Sequence, residues 1–110
     1  GAGTSTRHFR NVEVAPSRIE GLHFFMYKVY ILLLKNLSFY TGHTINLKQR
    51  LSQHRNGEVR FTRSLRPIKL VYYELQKSKQ DAMSREAQIK NWSKIKKINL
   101  IKYGHPNPIK

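Results

Sequence analysis

Tyr27-Lys28-Val29-Tyr30-Ile31-Leu32-Leu33-Leu34, then Lys35-Asn36-Leu37, then Ser38-Phe39-Tyr40-Thr41-Gly42-His43-Thr44 is the segment on which the fold turns. Its first part, rich in Val, Ile, Leu and Tyr, has the length and composition of a strand. Lys35 to Leu37 forms a plausible turn and Ser38 to Thr44 a second strand, so the two make a hairpin. Residues two apart share a strand face. A three-residue turn at 35–37 would set Tyr30 opposite Gly42, with Tyr40 diagonally across the same face; a two-residue turn would separate the tyrosines. Tyrosines in strands are usually core residues. Gly42 beside them is more telling, because a glycine inside a strand lets another backbone or a ligand approach closely.

Downstream, Asn46 can cap a helix to about Asn56, which Gly57 ends. A basic loop with Arg60, Arg63 and Arg66 closes at Pro67, and Ile68 to Leu75 alternates as a third strand. Ser78 and Asp81 make a capping-box-like start for a helix to about Asn91, and Ser93 caps a last helix stopped by Gly104. The expected fold is α+β: a small three-stranded antiparallel sheet flanked by helices, in the order β-β-α-β-α-α. Residues 1–25 lack this patterning and read as a leader or flexible extension; 26–104 form the domain and 105–110 a short tail.

The 110 residues carry 21 Lys and Arg against 6 Asp and Glu, a formal net charge of +15. Such a surface attracts polyanions, nucleic acid first among them. The basic residues alternate with apolar ones, as on a folded face rather than a tail. The chain has no cysteine, which excludes disulfides and thiolate zinc sites. It has no apolar run long enough to span a membrane and no readable secretory signal. These features fit a cytoplasmic protein that needs no membrane and no small-molecule cofactor.

Only four acidic residues follow Met26, namely Glu58, Glu74, Asp81 and Glu86. On the helix from Ser78, the residues Ala82, Met83, Ala87, Ile89 and Trp92 fall on one broad arc, with Glu86 near its middle. A carboxylate there is costly unless paired. It is either an internal salt bridge to an arginine or a ligand for a hard cation at the edge of the core. Arg50 and His54, four apart, meet on one face of their helix. Each has an ordinary alternative: a surface charge with a buried stem, or a satisfied, half-buried imidazole.

Taken in order, Val29-Tyr30-Ile31 and Tyr40-Thr41-Gly42 resemble the paired motifs that name the GIY-YIG nucleases, in the variants VYI and YTG. The segment 47–54, with Arg50 and His54, resembles the family's arginine-bearing helix. Phe61-Thr62-Arg63-Ser64 with Arg66-Pro67 and Leu70-Val71-Tyr72 is similar to its loop and third strand. The segment 85–92 resembles its metal-binding helix. The match is to the small stand-alone bacterial members related to the nuclease domain of the excision-repair enzyme. The larger family often uses an asparagine late in the domain; Asn99 is not assigned that role.

The resemblance implies hydrolysis of a DNA phosphodiester in duplex or branched DNA, in a repair or recombination setting, with Mg²⁺ or Mn²⁺ held by Glu86. It implies that Tyr30 or Tyr40 activates water, that Arg50 neutralises phosphoryl charge, and that His43 and His54 shuttle protons or bind phosphate. A free tyrosine has a pKa of ~10, and a cluster of cations is expected to lower it. Arg60, Arg63, Arg66, Lys94, Lys96 and Lys97 are expected to hold the DNA backbone. The rival readings are a non-catalytic nucleic-acid-binding module with the same fold and a structural RNA-binding protein.

Overall fold

The computed structural model describes residues 25–107. Strands β1 (Tyr27–Leu33), β2 (Phe39–Thr44) and β3 (Lys69–Gln76) form one antiparallel sheet in the spatial order β2-β1-β3. Helix α1 (Leu47–Arg55) and the single-turn helix α2 (Arg60–Arg63) lie between β2 and β3, and α3 (Lys79–Lys90) and α4 (Lys94–Tyr103) follow. This is the expected α+β order, with one correction: the basic loop contains a helical turn. The Thr62 and Leu65 amides close it by reaching back three residues, to the Val59 and Thr62 carbonyls. The expected leader, apart from Phe25, and residues 108–110 of the tail lie outside the described residues.

The hairpin turn has three residues. The Leu34 amide donates to the Ser38 carbonyl at 2.9 Å and the Leu37 amide to the Leu34 carbonyl at 2.8 Å. Leu37 takes a left-handed φ of 68°, a position that favours Gly or Asn. Asn36 compensates, its Oδ1 accepting from the Ser38 amide and hydroxyl at 3.1 and 2.6 Å. This turn pairs Tyr30 with Gly42 and Leu32 with Tyr40.

The helix ends follow from their caps. Asn46, Ser78 and Ser93 each accept from an amide three residues on, those of Gln49, Asp81 and Lys96. Gly104 ends α4 in the left-handed conformation, φ 77°.

As the central strand, β1 is buried on both faces, which is why it reads as an unbroken apolar run. Val29, Ile31 and Tyr72 pack under Ala82, Ile89 and Leu100 of α3 and α4. On the opposite face, Tyr30, Leu32 and Leu34 pack with Leu51 of α1, flanked by Leu47, Leu65, Ile68 and Leu70. Among the described residues, β2 is an edge strand of the sheet. The broad apolar arc expected on α3 is narrower in the structure. Ala82 and Ile89 are buried and Glu86 is partly so, but Met83 is 51% exposed and Ala87 faces solvent. The helix meets the sheet along a single seam of i, i+3, i+4 and i+7 positions, and the flanking residues miss it. Among the described residues, no helix is long and apolar enough to cross a membrane.

Candidate active site

The register places the Tyr30 side chain directly over Gly42. A Cβ on Gly42 would lie 2.6 Å from the Tyr30 hydroxyl oxygen, so only glycine fits. What approaches Gly42 closely in the fold is a side chain of the same protein, that of Tyr30.

From there the site is a cluster of rings meeting edge-on or tilted. Tyr40 lies 6.4 Å from Tyr30 and 5.2 Å from His54 between ring centroids, and Phe61 continues the cluster 5.5 Å from Tyr40. Phe61 is 66% exposed. The Tyr30 hydroxyl bonds His54 Nε2 at 3.0 Å, and His54 Nδ1 bonds the Thr62 hydroxyl at 2.7 Å. His54 and Thr62 are fully buried. Arg50, one helical turn before His54, is half-buried and has no carboxylate partner among the described residues.

The electrostatics reverse one expectation. Burial raises the Tyr30 phenol well above its ordinary range; Tyr40 adds to the rise, Arg50 opposes it, and Glu86 adds again. The cations expected to lower the pKa do act, through Arg50, but taking a phenolate out of water costs more than one cation returns. Tyr30 therefore rests as a neutral phenol, hydrogen-bonded to His54.

His54 in turn is pushed down to about 4, by burial first and Arg50 second. This has a consequence for stability. An unfolded chain takes up the proton near 6.5, the folded one only near 4, so between these values the unfolded state holds the extra proton. Stability is then full above pH 6.5 and falls as the pH drops toward 4, by roughly 3 kcal/mol in all. Thermal melts should show a midpoint roughly 10–20 °C lower at pH 4 than at pH 7. Between pH 6.5 and 5 the loss precedes any carboxylate protonation, and an imidazole signal of His54 titrating above pH 6 would contradict it.

Glu86 reaches the same edge from the other face of the sheet, because α3 lies over β2. Its carboxylate pairs with His43 Nδ1 through one oxygen and with Lys90 Nζ at 2.6 Å through the other. Burial pushes its pKa up, but the bonds from His43 and Lys90 outweigh burial, and the net value lies below the ordinary one. The partner foreseen for Glu86 as a salt bridge was an arginine; a histidine and a lysine take that place. Of the other acidic residues, Glu74 is held by Arg85 at 2.6 and 3.2 Å, and Glu58 and Asp81 are exposed.

Among the described residues, no three His, Cys, Asp or Glu side chains cluster as a metal-binding group. The donor set does fit a cation that keeps most of its water and takes one carboxylate. Glu86 is ionised, and its second oxygen already holds a cation, the ammonium of the 53%-exposed Lys90.

The basic residues divide between two places. Arg63 and Arg66 join Arg55, which was not foreseen, around an open cavity of about 600 Å³. Backbone carbonyls hold these guanidinium groups: Arg63 donates to Gly57 O at 2.8 Å, and Arg66 to Arg63 O at 2.9 Å and Arg55 O at 3.1 Å. Arg60 is exposed on α2. Lys94, Lys96 and Lys97 are not brought to this face. α4 packs on the opposite side of the sheet, and the Lys94 ammonium is tied to the Leu37 carbonyl at 3.0 Å. Asn99 donates to the Pro106 carbonyl at 3.0 Å and closes the tail onto α4. Thr62 and Lys90 were also missed as site neighbours. Lys90 was legible as the i+4 partner of Glu86, whereas nothing in the local spacing points from Thr62 to His54.

The chain is similar to a UPF0213 protein of Syntrophus aciditrophicus, 43% identical over 76 residues that cover 67% of this chain and 87% of that one. A UPF0213 protein of Clostridium perfringens is 46% identical over 74 residues, 66% and 80% of the two chains. The solution NMR structure of a UPF0213 protein from Bacillus halodurans aligns with a TM-score of 0.47 at 36% identity, covering 69% and 82%. The model of the GIY-YIG catalytic domain matches residues 26–99, a span that opens with β1 and takes in both tyrosines, Arg50, His54 and Glu86. This chain belongs to the GIY-YIG family of nuclease domains.

Proposed function

We propose that the protein is a metal-dependent DNA endonuclease whose site is the rim of β2. The observation that carries this reading is the buried 3.0 Å hydrogen bond between Tyr30 and His54, with Arg50 one helical turn from His54 and Glu86 paired to His43 of β2. A potential base, an uncompensated cation and an ionised carboxylate thus converge from both faces of the sheet.

Glu86 would hold Mg²⁺ or Mn²⁺ in place of the Lys90 ammonium, with His43 fixing the carboxylate. The cation, when bound, polarises the phosphate and stabilises the leaving oxygen. Arg50 binds the phosphoryl oxygens, since its charge has no carboxylate partner among the described residues. Tyr30 takes a proton from water while passing its own to His54, and Tyr40, whose ring lies beside both, orients the phosphate. Arg55, Arg63 and Arg66 hold the backbone of duplex or branched DNA beyond the scissile position.

Supercoiled plasmid incubated with the protein should be nicked with Mn²⁺ or Mg²⁺ and left intact with a chelator. Binding without nicking under every metal condition would leave only the reading as a binding module. DNA affinity should also fall with salt. Roughly five phosphate contacts give a slope of log affinity against log salt of about −4 to −5, and a flat response would remove the electrostatic basis of binding.

A further inference from the structure

We infer that Thr62 is a positioning residue for the hydrolysis, fixing which nitrogen of His54 carries a proton so that the other can receive the one from Tyr30. The inference rests on the proposed role of Tyr30 and adds a residue to it.

A neutral imidazole carries one N–H, and the bond made by one nitrogen sets the state of the other. His54 Nδ1 faces the Thr62 hydroxyl at 2.7 Å and Nε2 faces the Tyr30 hydroxyl at 3.0 Å. The Nδ1–Thr62 bond is closed to water that could substitute, since His54 and Thr62 are both 0% exposed. The Thr62 hydroxyl has a second acceptor in reach, the Val59 carbonyl at 3.5 Å. With its hydrogen directed there, Thr62 Oγ1 accepts from Nδ1–H, and Nε2 is left with its lone pair toward Tyr30.

The transfer balances through Tyr30. Its O–H bond breaks, an N–H bond forms at His54 Nε2, Nδ1–H stays on Thr62, and the proton of the attacking water replaces the one Tyr30 gave up. Tyr30 ends as a neutral phenol, the water's oxygen goes to the phosphorus, and His54 becomes an imidazolium bonded at both nitrogens. The low proton affinity of His54 keeps the acceptor empty at neutral pH. The other charged or titratable groups around the pair are Tyr40 from β2, Arg50 from α1 and Glu86 from α3. The fold supplies Thr62 through α2, the helical turn in the basic loop. Without that turn the hydroxyl would not face α1.

The test reads the tautomer directly. In wild-type protein at pH 7, ¹⁵N-detected spectra of the histidine rings should show His54 neutral with its proton on Nδ1. Thr62→Val keeps the shape and removes the hydroxyl; the Nδ1–H preference should be lost and cleavage should slow by roughly 10–100-fold, the cost of removing a partner that orients a functional histidine. KM for DNA should be unchanged, because the Thr62 side chain is fully buried. Thr62→Ser should restore both the tautomer and the rate. Finding the proton on Nε2 in the wild type, or a Thr62→Val protein that keeps the wild-type tautomer and rate, would overturn the inference. The spectrum needs no cleavage, so a protein that nicks no DNA yet shows the Nδ1–H tautomer would refute the endonuclease reading and leave the assignment of Thr62 to His54 standing.

Discussion

A Glu86→Gln protein should bind DNA with nearly wild-type affinity and fail to cut it. The amide keeps the size of the carboxylate and removes the charge that a cation needs. A bound cation is worth several kcal/mol of transition-state stabilisation, and each ~1.4 kcal/mol is a factor of ten in rate, so the loss should be about 10³-fold or more. The fold should survive. Lys90 is more than half exposed, and an i,i+4 pair of that kind contributes only about 0.3–0.5 kcal/mol. The His43 ring keeps a hydrogen-bonding partner in the amide. A purely structural carboxylate predicts the opposite pattern: a large drop in melting temperature, because removing one member of a buried pair strands the other, with cleavage by the surviving folded fraction unchanged. Measuring melting point, DNA affinity and nicking rate on one preparation separates the two. Wild-type cleavage by the variant at matched metal concentration would remove Glu86 from the site.

The parts of this molecule that were legible in its sequence are those set by short-range signals. Asn46, Ser78 and Ser93 cap their helices because a side-chain oxygen three residues upstream satisfies an orphan amide, and that logic needs no tertiary context. The hairpin register depended on one turn, and the sequence left two lengths open. Leu37 in a left-handed conformation settles it, yet leucine is among the residues least expected there. Contacts distant in sequence were not legible. His43 and Glu86 meet across 43 residues only because α3 lies over β2, and Thr62 meets His54 only because the basic loop coils into α2. Lys94, Lys96 and Lys97 resembled a phosphate-binding row because net charge carries no information about which face a helix presents. The direction of the Tyr30 shift was missed for a related reason. Cations can be counted in a sequence, but the burial that outweighs them belongs to the packed hairpin.

That burial also changes what the pH dependence of cleavage should look like. A preformed phenolate would make the rate climb tenfold per pH unit through neutrality. In the structure, Tyr30 is protonated and His54 unprotonated at neutral pH, and this neutral pair is itself the competent form, because the proton leaves Tyr30 for His54 within the step. The rate at saturating metal should therefore be level from about pH 5 through neutrality and into the alkaline range, between the two shifted groups. Below that it should fall as His54 takes up a proton near 4 and can no longer accept one. Tyr30→Phe keeps the ring over Gly42 and its packing, so folding and DNA affinity should hold, while the rate drops roughly 10²–10⁴-fold, the usual contribution of a positioned general base. Tyr40→Phe should cost less and keep the level profile, since Tyr40 meets His54 edge-on with the two rings 5.2 Å apart and is not the group bonded to Nε2. A wild-type rate that rises tenfold per pH unit across pH 6 to 8 would show that hydroxide, not the tyrosine–histidine pair, supplies the nucleophile. A Tyr30→Phe protein cutting within about threefold of wild type would dismiss Tyr30 as the base, because a positioned base contributes far more than that.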